Sequence, residues 1–206
     1  MFTQDAGAQD APSPRRTQLL DAACRLIART GVRRLRMEDL AREAKVSVGL
    51  PYRYFASRAE LLAGVLDYVA SGAAEQQRRR SPQRHELGGE LADALTADFA
   101  DDPLAVQTAR VWSELYAEAL FDEALRHRLR EVTYGWIEEI SEVMAASVGH
   151  PAATVRPVAE RLVVTADGVN GWWALGIVDT AQARELVLAA VRAALAQDFG
   201  DAAGCP

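Results

Sequence analysis

Residues 35–62, LRMEDLAREAKVSVGLPYRYFASRAELL, decide the fold. Met37, Leu40, Ala41 and Ala44 recur at helical spacing and put one apolar stripe on a short helix. Ser47 then stands as the N-cap of a second short helix running from Val48 to Phe55. Ser57 and Glu60 make an S-x-x-E capping box, so a further helix begins there and carries Leu61, Leu62, Val65 and Leu66 on its buried side. Helix, tight turn, and a second helix bearing Tyr52, Arg53 and Tyr54 is the layout of a helix-turn-helix that reads the DNA major groove.

The run Val46-Ser47-x-Gly49-x-x-Tyr52-Arg53-Tyr54-Phe55-x-Ser57-Arg58-x-Glu60-Leu61-Leu62, preceded by Ala41-Arg42-Glu43-Ala44, resembles the signature of TetR/AcrR-family transcriptional regulators. That resemblance implies an N-terminal unit that binds double-stranded operator DNA and a larger helical part that dimerises and binds a small ligand. It also implies that the short second helix lies in the groove, with Val48, Gly49, Leu50 and Arg53 facing bases. Gly49 has no side chain and lets the backbone approach closely. Arg53 can pair with guanine, worth roughly 1–3 kcal/mol of discrimination. Tyr52, Tyr54 and Arg58 are expected on phosphates, with Arg15 and Arg16 reaching the backbone from the first helix. Ser47 and Lys45 complete the DNA-facing set from the turn. Three residues depart from the family pattern. Arg36 replaces a threonine N-cap and is expected to reach a phosphate instead; Lys45 stands where glycine is usual; Pro51 disfavours helical geometry at Leu50.

Charge is distributed to match. The net value of −6 and a pI near 5.2 argue against a general nucleic-acid binder. Residues 15–60, however, hold eleven Lys/Arg against five Asp/Glu, a balance of +6, and residues 61–206 hold twelve against twenty-two, a balance of −10. The basic share falls on the helix-turn-helix, where attraction to phosphates explains it better than a merely solvated face.

The reading is all-α, with about nine helices in four segments: a disordered arm at 1–12, the helix-turn-helix unit at 13–60, a ligand-binding and dimerisation part at 61–200, and a tail at 201–206. Ser13-Pro14 starts the first helix, Gly31 ends it, and Cys24 lies on its apolar side. A helix over 58–80 links the two parts and is the expected lever between them. A loop follows at 81–89 and a helix at 91–99. Asp102 caps the next, Asp122 opens a long one to about Val148, Thr154 caps another to about Ile177 with Pro157 in its first turn, and Asp179-Thr180 opens the last. On that last helix Ala183, Leu186, Val187, Ala190, Val191, Ala194 and Leu195 form one broad stripe.

From about Val111 to Leu195 the chain resembles BetI-like members of the family through Trp112, the DEALR run at 122–126, Trp136 and DGVNGWWALGIVDTAQAREL at 167–186. The resemblance implies a homodimer through the last two helices. Two recognition helices would then stand about 34–36 Å apart and read a palindrome in successive major grooves. Phe99, Trp112, Tyr116, Trp136, Val169 and Trp173 are the candidate ligand residues. Aromatics among Glu114, Glu118, Glu139 and Asp167 suit a cationic or quaternary ammonium effector, against the plainer reading of a packed core. Ligand-relieved repression is the family's common mode. A regulator that dimerises without any ligand is the alternative, and an enzyme the remote one: His85, His127 and His150 are scattered without nucleophile or metal-ligand spacing, so no catalytic residue, metal or cofactor is expected. The N-terminus lacks a signal peptide's apolar core and no long apolar run suggests a membrane span, which makes the cytoplasm the expected compartment.

Overall fold

A computed structural model of the chain describes residues 13–80 and 89–199, with 73–80 as backbone alone. The expectations for the arm, the loop with His85 and the tail lie outside the residues so described. Among them the expected all-α architecture forms: α1 (Pro14–Thr30), a 3₁₀ turn (Val32–Arg34), α2 (Met37–Glu43), α3 (Leu50–Tyr54), α4 (Arg58–Arg80), α5 (Gly89–Thr96), α6 (Pro103–Ala119), α7 (Glu123–Val148), α8 (Ala152–Ala174) and α9 (Thr180–Phe199). None of these helices is long and apolar enough to cross a membrane.

The caps follow the sequence closely. Ser13 Oγ accepts from the Arg16 amide at 3.3 Å ahead of Pro14. Asp102 accepts from the Leu104 amide at 2.9 Å and Asp122 from the Leu125 amide at 3.0 Å. At α4, Ser57 Oγ accepts from the Glu60 amide at 3.1 Å, while the Glu60 carboxylate reaches past Ser57 to the Ala56 amide at 2.7 Å. Before α9, Asp179 and Gln182 exchange side-chain to amide bonds in the same reciprocal manner.

Several boundaries differ from expectation. Helix α5 stops at Thr96, and Phe99 turns back to donate its amide to the Thr96 carbonyl at 3.2 Å. Helix α8 starts before Thr154, because the Pro151 carbonyl already accepts from the Thr154 and Val155 amides. Pro157 consequently lies inside the helix rather than in its first turn. The same helix ends at Ala174, short of Ile177: Gly176, at φ +71°, lets its own amide bond Trp173 O and the Ile177 amide bond Trp172 O, both at 2.9 Å. On α9 the broad stripe divides. Ala183, Val187, Val191 and Ala194 are buried within the chain, whereas Leu186 is exposed.

Two apolar clusters result. One joins α1 through α4 to Val111, Leu115 and Ala119 of α6 and to Leu125 and Leu129 of α7. The other joins α5 to the remaining parts of α6 through α9. The helix-turn-helix unit therefore does not close its core on itself; it shares one with α6. A polar clasp reinforces the junction. Glu114 accepts from the Val32 amide at 2.8 Å, and the Arg58 guanidinium donates to Glu118 at 2.9 Å and to the Val32 carbonyl at 3.0 Å.

Gly31 makes this clasp possible. At φ +81° and ψ 157° it occupies backbone space almost reserved for glycine, and an added Cβ would meet Glu114 Oε2 at 3.0 Å. Gly31→Ala should therefore cost roughly 1–3 kcal/mol, measured by urea unfolding, with a loss beyond that of Glu114→Ala if backbone strain adds to the displaced carboxylate.

Candidate functional sites

The first candidate is the face built by α2, the turn and α3. The α2–α3 turn is tight because Lys45 adopts φ +55° and Val46 returns its amide to the Ala41 carbonyl at 2.9 Å. The left-handed conformation expected if Lys45 replaces a glycine is what forms, at a strain of about 1 kcal/mol. Ser47 is not the N-cap of α3. The helix starts at Leu50, whose amide bonds the Ser47 backbone carbonyl at 2.9 Å, and Val48 and Gly49 form a turn ahead of it. Pro51 sits in the first turn, where its missing amide would have had no partner within the helix. Leu50 is helical despite the proline that follows it, contrary to the geometry expected there, and the irregularity lies in the two-residue turn ahead of the helix.

Val48 and Tyr52, 56% and 52% exposed, stand out from this face together with exposed Gly49 and Arg53. A Cβ on Gly49 would meet nothing within 4 Å, so its backbone is open to approach. Leu50 is half-buried, and Tyr54 packs partly into the core beside fully buried Phe55. The Tyr52 hydroxyl donates to Glu38 at 3.0 Å, which a phosphate would have to displace. Arg36 and Lys45 are exposed, and Arg36 makes no capping bond at the start of α2. Arg15 is exposed and bonds Gln18, while Arg16 lies over the Phe55 ring at 5.5 Å.

Arg58 departs from the set. Its guanidinium is committed to Glu118 and Val32, because it leaves the first turn of α4 toward α6, where both groups can accept from it. It joins the two parts of the chain instead of lying open beside a phosphate. The supports under the face were not evident in the sequence: Gln18 Nε2 donates to the Ala44 carbonyl at 2.9 Å, and Glu43 takes Arg25 and Arg29 at 3.0 and 2.7 Å.

The second candidate is a cavity of about 260 Å³ among α4 to α8. Phe99, Trp112, Tyr116 and Trp136 line it as expected. Val169 and Trp173 do not. They lie in the apolar core, Trp173 about two turns along α8 from lining Ala166; it packs edge-on against Phe99 at 5.4 Å and donates Nε1 to Thr180 at 3.2 Å. The acidic group divides as well. Glu139 and Asp167 line the cavity, whereas Glu114 and Glu118, on the opposite side of α6, form the clasp. Asp98, Thr133 and Asn170 are lining residues that sequence reasoning missed. Asn170 follows Asp167 by three positions, a spacing that puts both on one helix face; Asp98 follows the end of α5 and carries no such signal.

Three carboxylates, Asp98, Glu139 and Asp167, thus meet four aromatic rings, and among the described residues no Lys, Arg or His lines the space. The Tyr116 hydroxyl donates to Asp167 at 3.0 Å. Burial pushes the Asp167 carboxyl up from 3.8 to about 6; the tyrosine bond opposes the rise and the Asp98 charge adds to it. The Tyr116 phenol is itself driven upward by burial and by Asp167.

The pH consequence has a definite sign. The fold holds the Asp167 proton more tightly than the unfolded chain does, so this group's contribution is most favourable below about pH 4 and is lost as pH rises through about 6. Asp167→Asn cannot ionise and should be more stable than the parent at pH 7 by roughly 1–3 kcal/mol. Urea unfolding curves collected across the pH range should converge toward pH 4, and a gap independent of pH would contradict the assignment.

Two family models match the chain. The family model for bacterial regulatory proteins of the tetR family matches residues 19–65, and that for the C-terminal part of BetI-type transcriptional repressors matches residues 89–196. The HTH-type transcriptional regulator BetI of Burkholderia cenocepacia (strain HI2424) is 26% identical over 187 residues, covering 89% of this chain and 95% of that protein. A crystal structure of a TetR-family regulator from Rhodococcus sp. superposes with a TM-score of 0.79 at 30% identity, covering 89% of this chain and all of the other. A transcriptional regulator from Saccharomonospora viridis, solved in complex with choline, has the same fold, with a TM-score of 0.71 at 20% identity over 86% of this chain and 95% of that one.

Proposed function

The chain belongs to the tetR family of bacterial regulatory proteins, as a helix-turn-helix transcriptional regulator and not an enzyme, and from that premise we propose that it is a homodimeric repressor released from a palindromic operator by a small organic cation. The observation that carries the effector class is the meeting of Glu139 and Asp167 with four aromatic rings. Carboxylates attract a cation, and aromatic faces suit one whose charge is spread over methyl groups. The choline in the S. viridis regulator is a ligand of that kind. An open cavity favours this reading over a body that only dimerises.

The outer face of α8 and α9 suits the homodimer. Val164 and Trp172 are exposed along one side of α8 and Leu175 just past its end, with Gly168 and Gly171 between them open to close approach, and Leu186 is exposed on α9. Small residues between large apolar ones let two helices approach and pack against their mates. On the DNA side, Val48, Gly49 and Arg53 are the proposed base-facing residues, with Arg15, Arg16, Arg36, Lys45, Tyr52 and Tyr54 around them. The expected lever is extended by α6, which carries Trp112 and Tyr116 on its cavity side and Glu114 and Glu118 on the other. A cation relieves repression to the extent that it prefers the arrangement with wrongly spaced recognition helices.

Choline and its neutral isostere 3,3-dimethylbutanol separate charge from shape. Choline should raise the melting temperature and weaken binding to DNA from the gene's own promoter, while the alcohol should do neither; equal effects would remove the cationic reading. Affinity for choline should rise as pH is raised through about 6, because the ion needs the Asp167 carboxylate, and Asp167→Asn should lose at least about tenfold. Arg53→Ala should weaken specific operator binding by roughly 1–3 kcal/mol, read by fluorescence anisotropy at one fixed salt concentration.

A further inference from the structure

Beside the first cavity lies a second, roomier one of about 500 Å³. Asp98, Trp112 and Asn170 line both, so the Trp112 side chain stands on the partition. Beyond it the walls come from Cys24 of α1, Tyr68 and Val69 of α4, and Ala105 and Thr108 of α6. The two spaces differ in chemistry. The acidic groups of the first face aromatic rings, whereas the second is lined mainly by apolar and uncharged side chains. Its one further carboxylate, Asp21, already pairs with Arg25, and burial pushes the Cys24 thiol up to about 12, which keeps it neutral. Nothing in the second space calls for a second positive charge.

Size points the same way. The first cavity alone falls just short of the roughly 300–1,000 Å³ typical of organic-ligand pockets, and the two together fall within it. We propose that the two cavities form one effector site for an amphipathic organic monocation, its head beside Glu139 and Asp167 among the aromatic rings and its hydrocarbon chain running past Trp112 to end against α1. This rests on the cationic reading above and narrows it from a bare head group to a headed chain. The chain end would touch α1 of the helix-turn-helix unit while its flank lies on α6, so occupancy of the second chamber bears directly on the junction that holds the two parts together.

The test is a series of alkyltrimethylammonium ions from methyl to decyl, kept below micelle-forming concentrations. Each is titrated calorimetrically into the full chain, Ala105→Trp and Thr108→Phe, with decyl sulfate and the bis-cation hexamethonium as comparisons. For the parent protein, affinity should rise two- to fourfold per methylene over the first several carbons. In the two variants, with unchanged circular dichroism and operator binding, tetramethylammonium should bind as in the parent and the dependence on chain length should flatten. Operator release should follow the same order. Tetramethylammonium binding without any length dependence would overturn the second chamber and leave the cationic reading standing. Binding of no cation at all would remove that reading itself, and with it this one. Hexamethonium binding more tightly than the decyl ion would replace the monocation by a dication, and length dependence persisting in both variants would put the chain elsewhere. Should the variants fail to fold, a co-crystal of the parent with an ω-bromoalkyl ion decides: bromine beside Cys24 supports the proposal, and bromine elsewhere overturns it.

Discussion

The structure depends on α6 having two occupied sides. Residues two apart on a helix point about 200° away from each other, so Trp112 and Tyr116 face the cavity while Glu114 and Glu118 face the helix-turn-helix unit. The second pair holds Val32 and Arg58, and apolar Val111, Leu115 and Ala119 press into the same core as α1 and α4. A rigid helix so loaded cannot shift on its cavity side without moving what it holds on the other. Arg58 makes that connection, its guanidinium shared between Glu118 and the Val32 carbonyl.

The cavity illustrates a cost that folding alone would not accept. A carboxylate as enclosed as Asp167 raises its own pKa, and Asp98 nearby makes the rise larger; the Tyr116 hydroxyl relieves it only in part. An apolar or amide side chain would pack there with less penalty. Retaining an acid where ionisation is unfavourable makes sense for a site that a positive charge completes, since that charge restores the electrostatic balance lost on burial.

The DNA-reading face shows a similar local economy. Lys45 holds a left-handed backbone without being glycine, and Pro51 shortens the helix that follows, yet both costs are small because the turn bonds Val46 to Ala41 and Pro51 falls where no amide was needed. The result is a five-residue helix with Tyr52 and Arg53 exposed, supported from beneath by Phe55, Leu40 and the Gln18 bond to Ala44. Its precision comes from those supports rather than from its own length.

The chain's local chemistry determined the helices and most of their ends. Ser13, Ser57, Asp102, Asp122, Asp179 and Gly31 act within a turn of where they stand, and capping needs no distant partner. The helix-turn-helix, the basic share of residues 15–60 and the aromatic-acidic character of the larger part were legible for the same reason. What tertiary structure alone decided is which face of each helix meets which neighbour. It separated Glu114 and Glu118 from Glu139 and Asp167, kept Trp173 and Val169 out of the cavity lining, turned Arg58 toward α6 and brought Asp98 to the cavity. Sequence spacing tells which residues share a side of one helix; the partner of that side depends on how all the helices pack together, and that is a property of the whole fold.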